Sequence, residues 1–141
     1  MSEYLLAFDG SCGPSNPGPF AAYGFTIHKD GVLLVEESVQ LERGPNYSNN
    51  YAEFYGLYAG LEKLYEIAEF SDRILVRGDS TLVIKTMAGK FGGKAGTIYY
   101  PAYTRALGML RLLQQKFIPV QFEWVGREKN QAADKLSKYK R

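Results

Sequence analysis

The chain has 141 residues, 45% of them hydrophobic and 23% charged, which suits one domain with a substantial core and excludes a disordered tail. A net charge of +2 conceals a division: residues 1–79 hold 5 Lys and Arg against 12 Asp and Glu, net −7, and residues 80–141 hold 12 against 3, net +9. No acidic residue occurs from Ser80 to Phe122, so either an acidic site works beside a surface that attracts polyanions, or the two halves intermix on folding. The lone Cys12 excludes an intramolecular disulfide framework and a cysteine-rich zinc site. The start, with Glu3 and the short apolar run Tyr4–Phe8, lacks the basic n-region and longer apolar stretch of a secretory signal. No run approaches the roughly 18 apolar residues that span a bilayer. The expectation is a soluble cytoplasmic protein with no membrane contact.

In chain order, Tyr4–Phe8 reads as a short apolar strand and Gly10–Pro19, rich in Gly and Pro, as a turn. Phe20–His28 and Val32–Leu41 form a hairpin about Lys29-Asp30-Gly31. Ser48-Asn49 offers N-cap chemistry for a long helix whose apolar stripe is Tyr51, Phe54, Tyr58, Leu61, Tyr65 and Ala68. Arg73–Arg77 is a buried strand ending at Gly78-Asp79, and a short helix starts near Ser80. The Gly-rich stretch 89–96 breaks it, and a second long helix runs from Pro101 to Lys116 with Leu107, Leu110 and Leu113 inward. Val120–Val125 is the last strand, with Trp124 expected in the core, and Asn130–Tyr139 a closing helix. The order β-β-β-α-β-α-α-β-α requires a single mixed sheet covered by helices, because the later strands return through helical crossovers.

Four carboxylates fit poorly on solvated surfaces. Asp9 and Asp79 each end an apolar strand, Glu53 sits among Tyr51, Ala52 and Phe54 near the start of the long helix, and Asp134 lies beside Ala132, Ala133 and Leu136. Strand ends are where open α/β sheets place ligands. Carboxylates gathered there repel one another, so they hold cations or take up protons. Oxygen donors without His or Cys partners suit Mg²⁺ or Mn²⁺, and two such ions about 3.5–4 Å apart can activate water and stabilise the leaving oxygen of a phosphodiester. Taken singly, each has a plainer reading: a strand-end Asp serves a turn, and Asp134 pairs with Lys138 four residues on.

The motifs around these acids resemble type 1 ribonuclease H. Asp9-Gly10-Ser11-Cys12 followed by Asn16-Pro17-Gly18-Pro19 is similar to that family's opening signature. Ser48-Asn49-Asn50-Tyr51-Ala52-Glu53 resembles its Thr-Asn-Asn-x-x-Glu helix start, and Gly78-Asp79-Ser80 its Asp-Ser pair after the fourth strand. Trp124-Val125, then Asn130-x-x-Ala133-Asp134-x-Leu136, resembles its C-terminal block. The resemblance covers nearly the whole chain. It implies one catalytic domain over residues 1–141, with a five-stranded mixed α/β sheet, three strands antiparallel and then two parallel, flanked by helices. It implies endonucleolytic hydrolysis of the RNA strand of an RNA–DNA hybrid, leaving 5′-phosphate and 3′-hydroxyl ends, by a monomer needing no protein partner.

On that resemblance Asp9, Glu53, Asp79 and Asp134 are the catalytic and metal-binding residues for two ions of Mg²⁺ or Mn²⁺. Asp9 and Asp79 would serve both ions, Glu53 one and Asp134 the other. Gly10, Ser11 and Cys12, with Asn16, Asn49 and Asn50, would lie in the hybrid's minor groove, where RNA displays its 2′-hydroxyls. Ser48 would hold a DNA-strand phosphate. Turn geometry for Asn16 and helix capping for Ser48 and Asn49 are the competing readings. The chain departs from the common pattern before its last helix, where Gly126-Arg127-Glu128-Lys129-Asn130 contains no histidine. Arg127 either contacts the scissile phosphate there or is a surface arginine. The basic handle that some members insert between helices is not obvious here; Lys85, Lys90 and Lys94, interleaved with Phe91, would serve weakly for it, and Lys135, Lys138, Lys140 and Arg141 extend the basic surface. The alternative function is a catalytically silent ribonuclease H-like module that binds nucleic acid.

Overall fold

A computed structural model describes residues 1–139; Lys140 and Arg141, part of the expected basic tail, lie outside the described residues. Five strands form one sheet: β1 (Glu3–Gly13), β2 (Phe20–Lys29), β3 (Val32–Gln40), β4 (Arg73–Gly78) and β5 (Val120–Trp124), in the order β3-β2-β1-β4-β5. The β3-β2-β1 ladder is antiparallel, and β4 and β5 continue parallel to β1. This is the expected mixed sheet. Four helices complete the described residues: α1 (Asn49–Ile67), α2 (Thr81–Met87), α3 (Tyr100–Gln115) and α4 (Gln131–Leu136), the last preceded by a 3-10 turn at Arg127–Lys129.

Strand alternation sets the core. Tyr4, Leu6 and Phe8 of β1 and Ile74 and Val76 of β4 project to one face and are buried against Phe54, Leu57, Leu61 and Leu64 of α1. The buried stripe of α1 is therefore rotated from the expected one: Tyr51, Tyr58 and Tyr65 flank the core, half-buried, because their polar tips favour its rim. In α3, Ala102, Ala106, Leu110 and Leu113 are buried while Leu107 lies at the margin. No helix among the described residues is long and apolar enough to cross a membrane.

Two boundaries and one side chain's burial differ from the sequence reading. β1 does not stop at Phe8 but runs to Gly13, since residues 9–13 pair with β2 from Gly24 back to Phe20; a partner strand satisfies that backbone whatever its own propensity. α4 ends at Leu136 rather than Tyr139 because the following carbonyls leave the helix axis for other partners. Ser38 Oγ donates to Leu136 O at 2.6 Å, Ser11 Oγ to Ser137 O, and Gln40 Nε2 to Lys138 O at 2.8 Å. Trp124, expected in the core, is 54% exposed. Its ring stays in place because Nε1 donates to Asp79 O at 3.1 Å, tying the end of β5 to the end of β4.

Candidate active site

The sheet brings two of the acids together directly. Ala7 lies opposite Arg77 in the parallel β1–β4 ladder, so Asp9 and Asp79, each two residues further on, emerge at the same level. Glu53 arrives from the first turns of α1, which Ser48 caps by accepting the Tyr51 N–H at 3.0 Å. The helix sits this close because position 10 is glycine. A Cβ on Gly10 would lie 2.3 Å from Ala52 C and 2.4 Å from Glu53 N, inside the helix backbone. The result is a trio, Asp9, Glu53 and Asp79, each offering one carboxylate oxygen within 4.8 Å of the others. Asp134, the fourth acid, stands in α4 and shares a side-chain hydrogen bond with Asp9, but lies outside the trio. Lys138 Nζ reaches Asp134 Oδ1 at 3.2 Å, the pairing its spacing allowed.

Packing carboxylates in a buried space raises their proton affinity. Burial first, then the charge of Asp79, pushes Asp9 from 3.8 up to about 6. Burial and the charges of Asp9 and Asp79 hold the Glu53 carboxyl well above the ordinary range. Asp79 rises too, chiefly by burial, with Arg127 acting against the rise. Asp134 goes the other way: burial would raise it, but hydrogen bonds with Asp9 and Lys138 outweigh that and lower it. Asp79 Oδ2 is buried with no hydrogen-bond partner, and Arg127 Nε stands off at 3.9 Å with its side chain 82% exposed. Three hard oxygen donors, one of them orphaned, with no imidazole or thiolate among them, fit a divalent cation such as Mg²⁺. The residues therefore match the metal that the chemistry requires.

The residues around the acids divide by what they already bond. Cys12 N–H donates to Asn49 Oδ1 at 3.1 Å, Asn49 N–H to Asn16 Oδ1 at 3.1 Å, and Cys12 Sγ lies 3.4 Å from Asn16 Oδ1. This small network locks the loop 14–19 to the start of α1. It leaves the side-chain NH₂ groups of Asn16 and Asn49, both exposed, without an acceptor among the described residues. Ser11 Oγ is turned instead toward the C-terminal segment, where it meets Ser137 O and the Tyr139 N–H. Gly10 is covered by α1, and Asn50 is half-buried in its first turn.

One neighbour was given no role by its sequence. Asn130, 2% exposed, donates through Nδ2 to Phe8 O at 2.9 Å, fixing the backbone immediately before Asp9. Only its place in the C-terminal motif could have marked it. A separate concavity of about 540 Å³, lined by Leu5, His28, Arg73 and Gln121 among others, opens at the far ends of β1 and β4 and shares no residue with the acids.

Comparison with known proteins gives the same answer as the geometry. The reverse transcriptase-like family model matches residues 8–140. The bifunctional protein Rv2228c of Mycobacterium tuberculosis is 31% identical over 139 residues, 97% of this chain and 35% of the relative. The chain thus spans about a third of the length of these curated relatives. The solved N-terminal RNase H domain of Rv2228c superposes with a TM-score of 0.81 at 27% identity, covering 97% of this chain and 91% of that one. RNase H1 of the halophilic archaeon Halobacterium salinarum gives 0.79 at 28% identity over 96% of this chain and 94% of that one. LC11-RNase H1, isolated from compost and solved in complex with an RNA/DNA hybrid, gives 0.78 at 26% identity over 94% and 92%. With its sheet order, its carboxylate trio and these likenesses, the chain belongs to the reverse transcriptase-like family and is a type 1 ribonuclease H-like domain.

Proposed function

We propose that the protein is a ribonuclease H that cuts the RNA strand of RNA–DNA hybrids internally, leaving 5′-phosphate and 3′-hydroxyl ends. The observation that carries this reading is the trio of carboxylates within 4.8 Å at adjoining strand ends and a helix start, Asp9 and Glu53 buried and Asp79 half-buried. Likeness to ribonuclease H1 enzymes supports the activity, and the hybrid bound by LC11-RNase H1 supports the substrate. Two ions of Mg²⁺ or Mn²⁺, held by Asp9 and Asp79 with Glu53 on one side and Asp134 on the other, would supply an activated water and a counter-charge for the departing 3′ oxygen.

The chain's own groups do the rest. Asp9, anchored by its neighbours' hydrogen bonds, orients the reacting centre. Arg127, 3.9 Å from Asp79 and otherwise exposed, would meet the scissile phosphate in place of a loop histidine. The outward NH₂ groups of Asn16 and Asn49 are donors for the minor groove, where a 2′-hydroxyl accepts from them on RNA and is missing on DNA. Ser48 Oγ, which already caps α1, keeps a lone pair and its proton for a DNA phosphate. Lys85, Lys90, Lys94, Lys135 and Lys138, all exposed, supply the polyanion-attracting surface.

The test is incubation with a labelled hybrid, a duplex RNA and a duplex DNA, with Mg²⁺ or Mn²⁺, beside an Asp9→Asn control. Wild type should cleave only the RNA of the hybrid, and the variant should be inactive. Hybrid binding without cleavage in either metal would favour the silent binding module instead.

A further inference from the structure

We infer that Ser137 is a positioning residue for the active site: its hydroxyl fixes the carboxylate of Asp9 in the orientation that receives a metal ion. The inference rests on Asp9 being a metal ligand, as the proposed function requires. Ser137 is 1% exposed, and its Oγ lies 3.1 Å from Asp9 Oδ2 and 2.8 Å from Asp134 O. The hydroxyl has a single proton to give, and the ionised carboxylate, once formed, is the stronger acceptor of the two. Ser137 thereby bonds Asp9 through its hydroxyl, while its backbone N–H reaches the Asp134 carbonyl at 3.2 Å.

The contact is built by the tertiary structure. Alternation along β1 turns Asp9, Ser11 and Gly13 to the face of the sheet opposite α1, where the end of α4 lies. Asp9 pairs in register with Gly24 of β2, and Gly24 leaves the space that the helix end occupies. A Cβ there would stand 2.3 Å from Leu136 Cβ and 2.6 Å from Leu136 C. Bonds from Ser38 Oγ, Ser11 Oγ and Gln40 Nε2 to three successive carbonyls then hold residues 136–138 against β1 and β3. The segment is seated by contacts independent of Ser137's side chain. That side chain is free to act on Asp9.

Groups that bond a metal ligand from behind restrict its rotation, and removing one costs on the order of 10–100-fold in metal affinity. The experiment measures Mn²⁺ binding to the full chain without substrate, from the free Mn²⁺ signal in electron paramagnetic resonance at pH 8. Ser137→Ala should bind Mn²⁺ about tenfold more weakly than wild type. Ser137→Cys, which keeps the volume but donates poorly, should fall between them and guards against a packing defect in the alanine variant. Ser38→Ala, which loosens the same helix end without touching Asp9, should lower the urea midpoint but leave Mn²⁺ affinity within about twofold, since its site keeps every ligand contact. In turnover, Ser137→Ala should need more metal for half-maximal rate while KM for the hybrid stays unchanged. Equal Mn²⁺ binding by wild type and Ser137→Ala overturns the inference, as does an equal loss in Ser38→Ala. Failure of the wild type to bind Mn²⁺ at all would instead overturn the proposed function, and this inference with it.

Discussion

Replacing Asp9 with Asn in the absence of divalent cations should make the protein more stable at alkaline pH. Asp9 is 6% exposed, and burial together with the charge of Asp79 raises its carboxyl from 3.8 to about 6. A proton held more tightly by the folded chain than by the unfolded one stabilises the fold. That contribution is complete below pH 3.8 and is lost as pH rises through about 6. The interval corresponds to about 3 kcal/mol. Wild type gives up that amount between pH 4 and pH 8, and Asn, which does not titrate, gives up none. Some of the gain is offset by hydrogen bonds with Glu53 and Asp134 that Asn reproduces imperfectly, leaving an expected advantage of about 1–3 kcal/mol at pH 8. With a urea slope of about 2 kcal/mol per molar, the midpoint moves up by about 1 M. The assay is urea unfolding in EDTA at pH 4 and pH 8, followed by far-ultraviolet circular dichroism. Comparing the two proteins at each pH cancels the titration of groups that do not feel Asp9; Glu53, which is raised in part by the charge of Asp9, is relieved in the variant, and that adds to its advantage at pH 8. A midpoint for Asp9→Asn that is unchanged or lower at pH 8, or that differs from wild type equally at both pH values, would refute the reasoning. Saturating Mg²⁺ should reverse the order, since a ligand that binds only the folded wild type stabilises it by mass action.

Gly10→Ala places a Cβ 2.3 Å from the backbone of Ala52 and must push α1 off the strand. It should cost about 2–3 kcal/mol in urea unfolding, and cleavage of the hybrid should fall at least about 100-fold because Glu53 moves with the helix. Asn130→Ala strips the Phe8 carbonyl of a buried partner and should cost about 1–3 kcal/mol by the same measurement. Hybrid binding measured in Ca²⁺ should weaken linearly in log salt, and Lys90→Ala with Lys94→Ala should reduce that slope by about 1 to 2. An unchanged slope would remove those lysines from the interface.

The four acids were legible because each broke a local pattern: a carboxylate at the end of an apolar strand, or inside an apolar helical stripe, is out of place unless something binds it. The sheet was legible as well, since a tight hairpin implies an antiparallel pair and helical crossovers imply parallel ones. Less was visible where contact rather than local pattern decides. The segment 10–13 reads as a turn because it opens the Gly- and Pro-rich stretch Gly10–Pro19, yet β2 recruits it into the sheet. Trp124 reads as core by hydrophobicity, yet β5 ends the sheet and leaves its ring at the surface.

By itself the sequence determined the strand and helix order, the four acids as candidates and the uneven division of charge along the chain. Periodicity and turn chemistry act over a few residues, and those features need no more. The tertiary structure alone decided which acids meet. Three converge within 4.8 Å while Asp134 stands beside Asp9 and pairs with Lys138. It also decided how closely they meet, through the missing Cβ atoms of Gly10 and Gly24. It gave Asn130 and Ser137 their partners across more than 120 residues of chain. Those contacts join residues distant in sequence, and only the packed fold brings them within hydrogen-bond range.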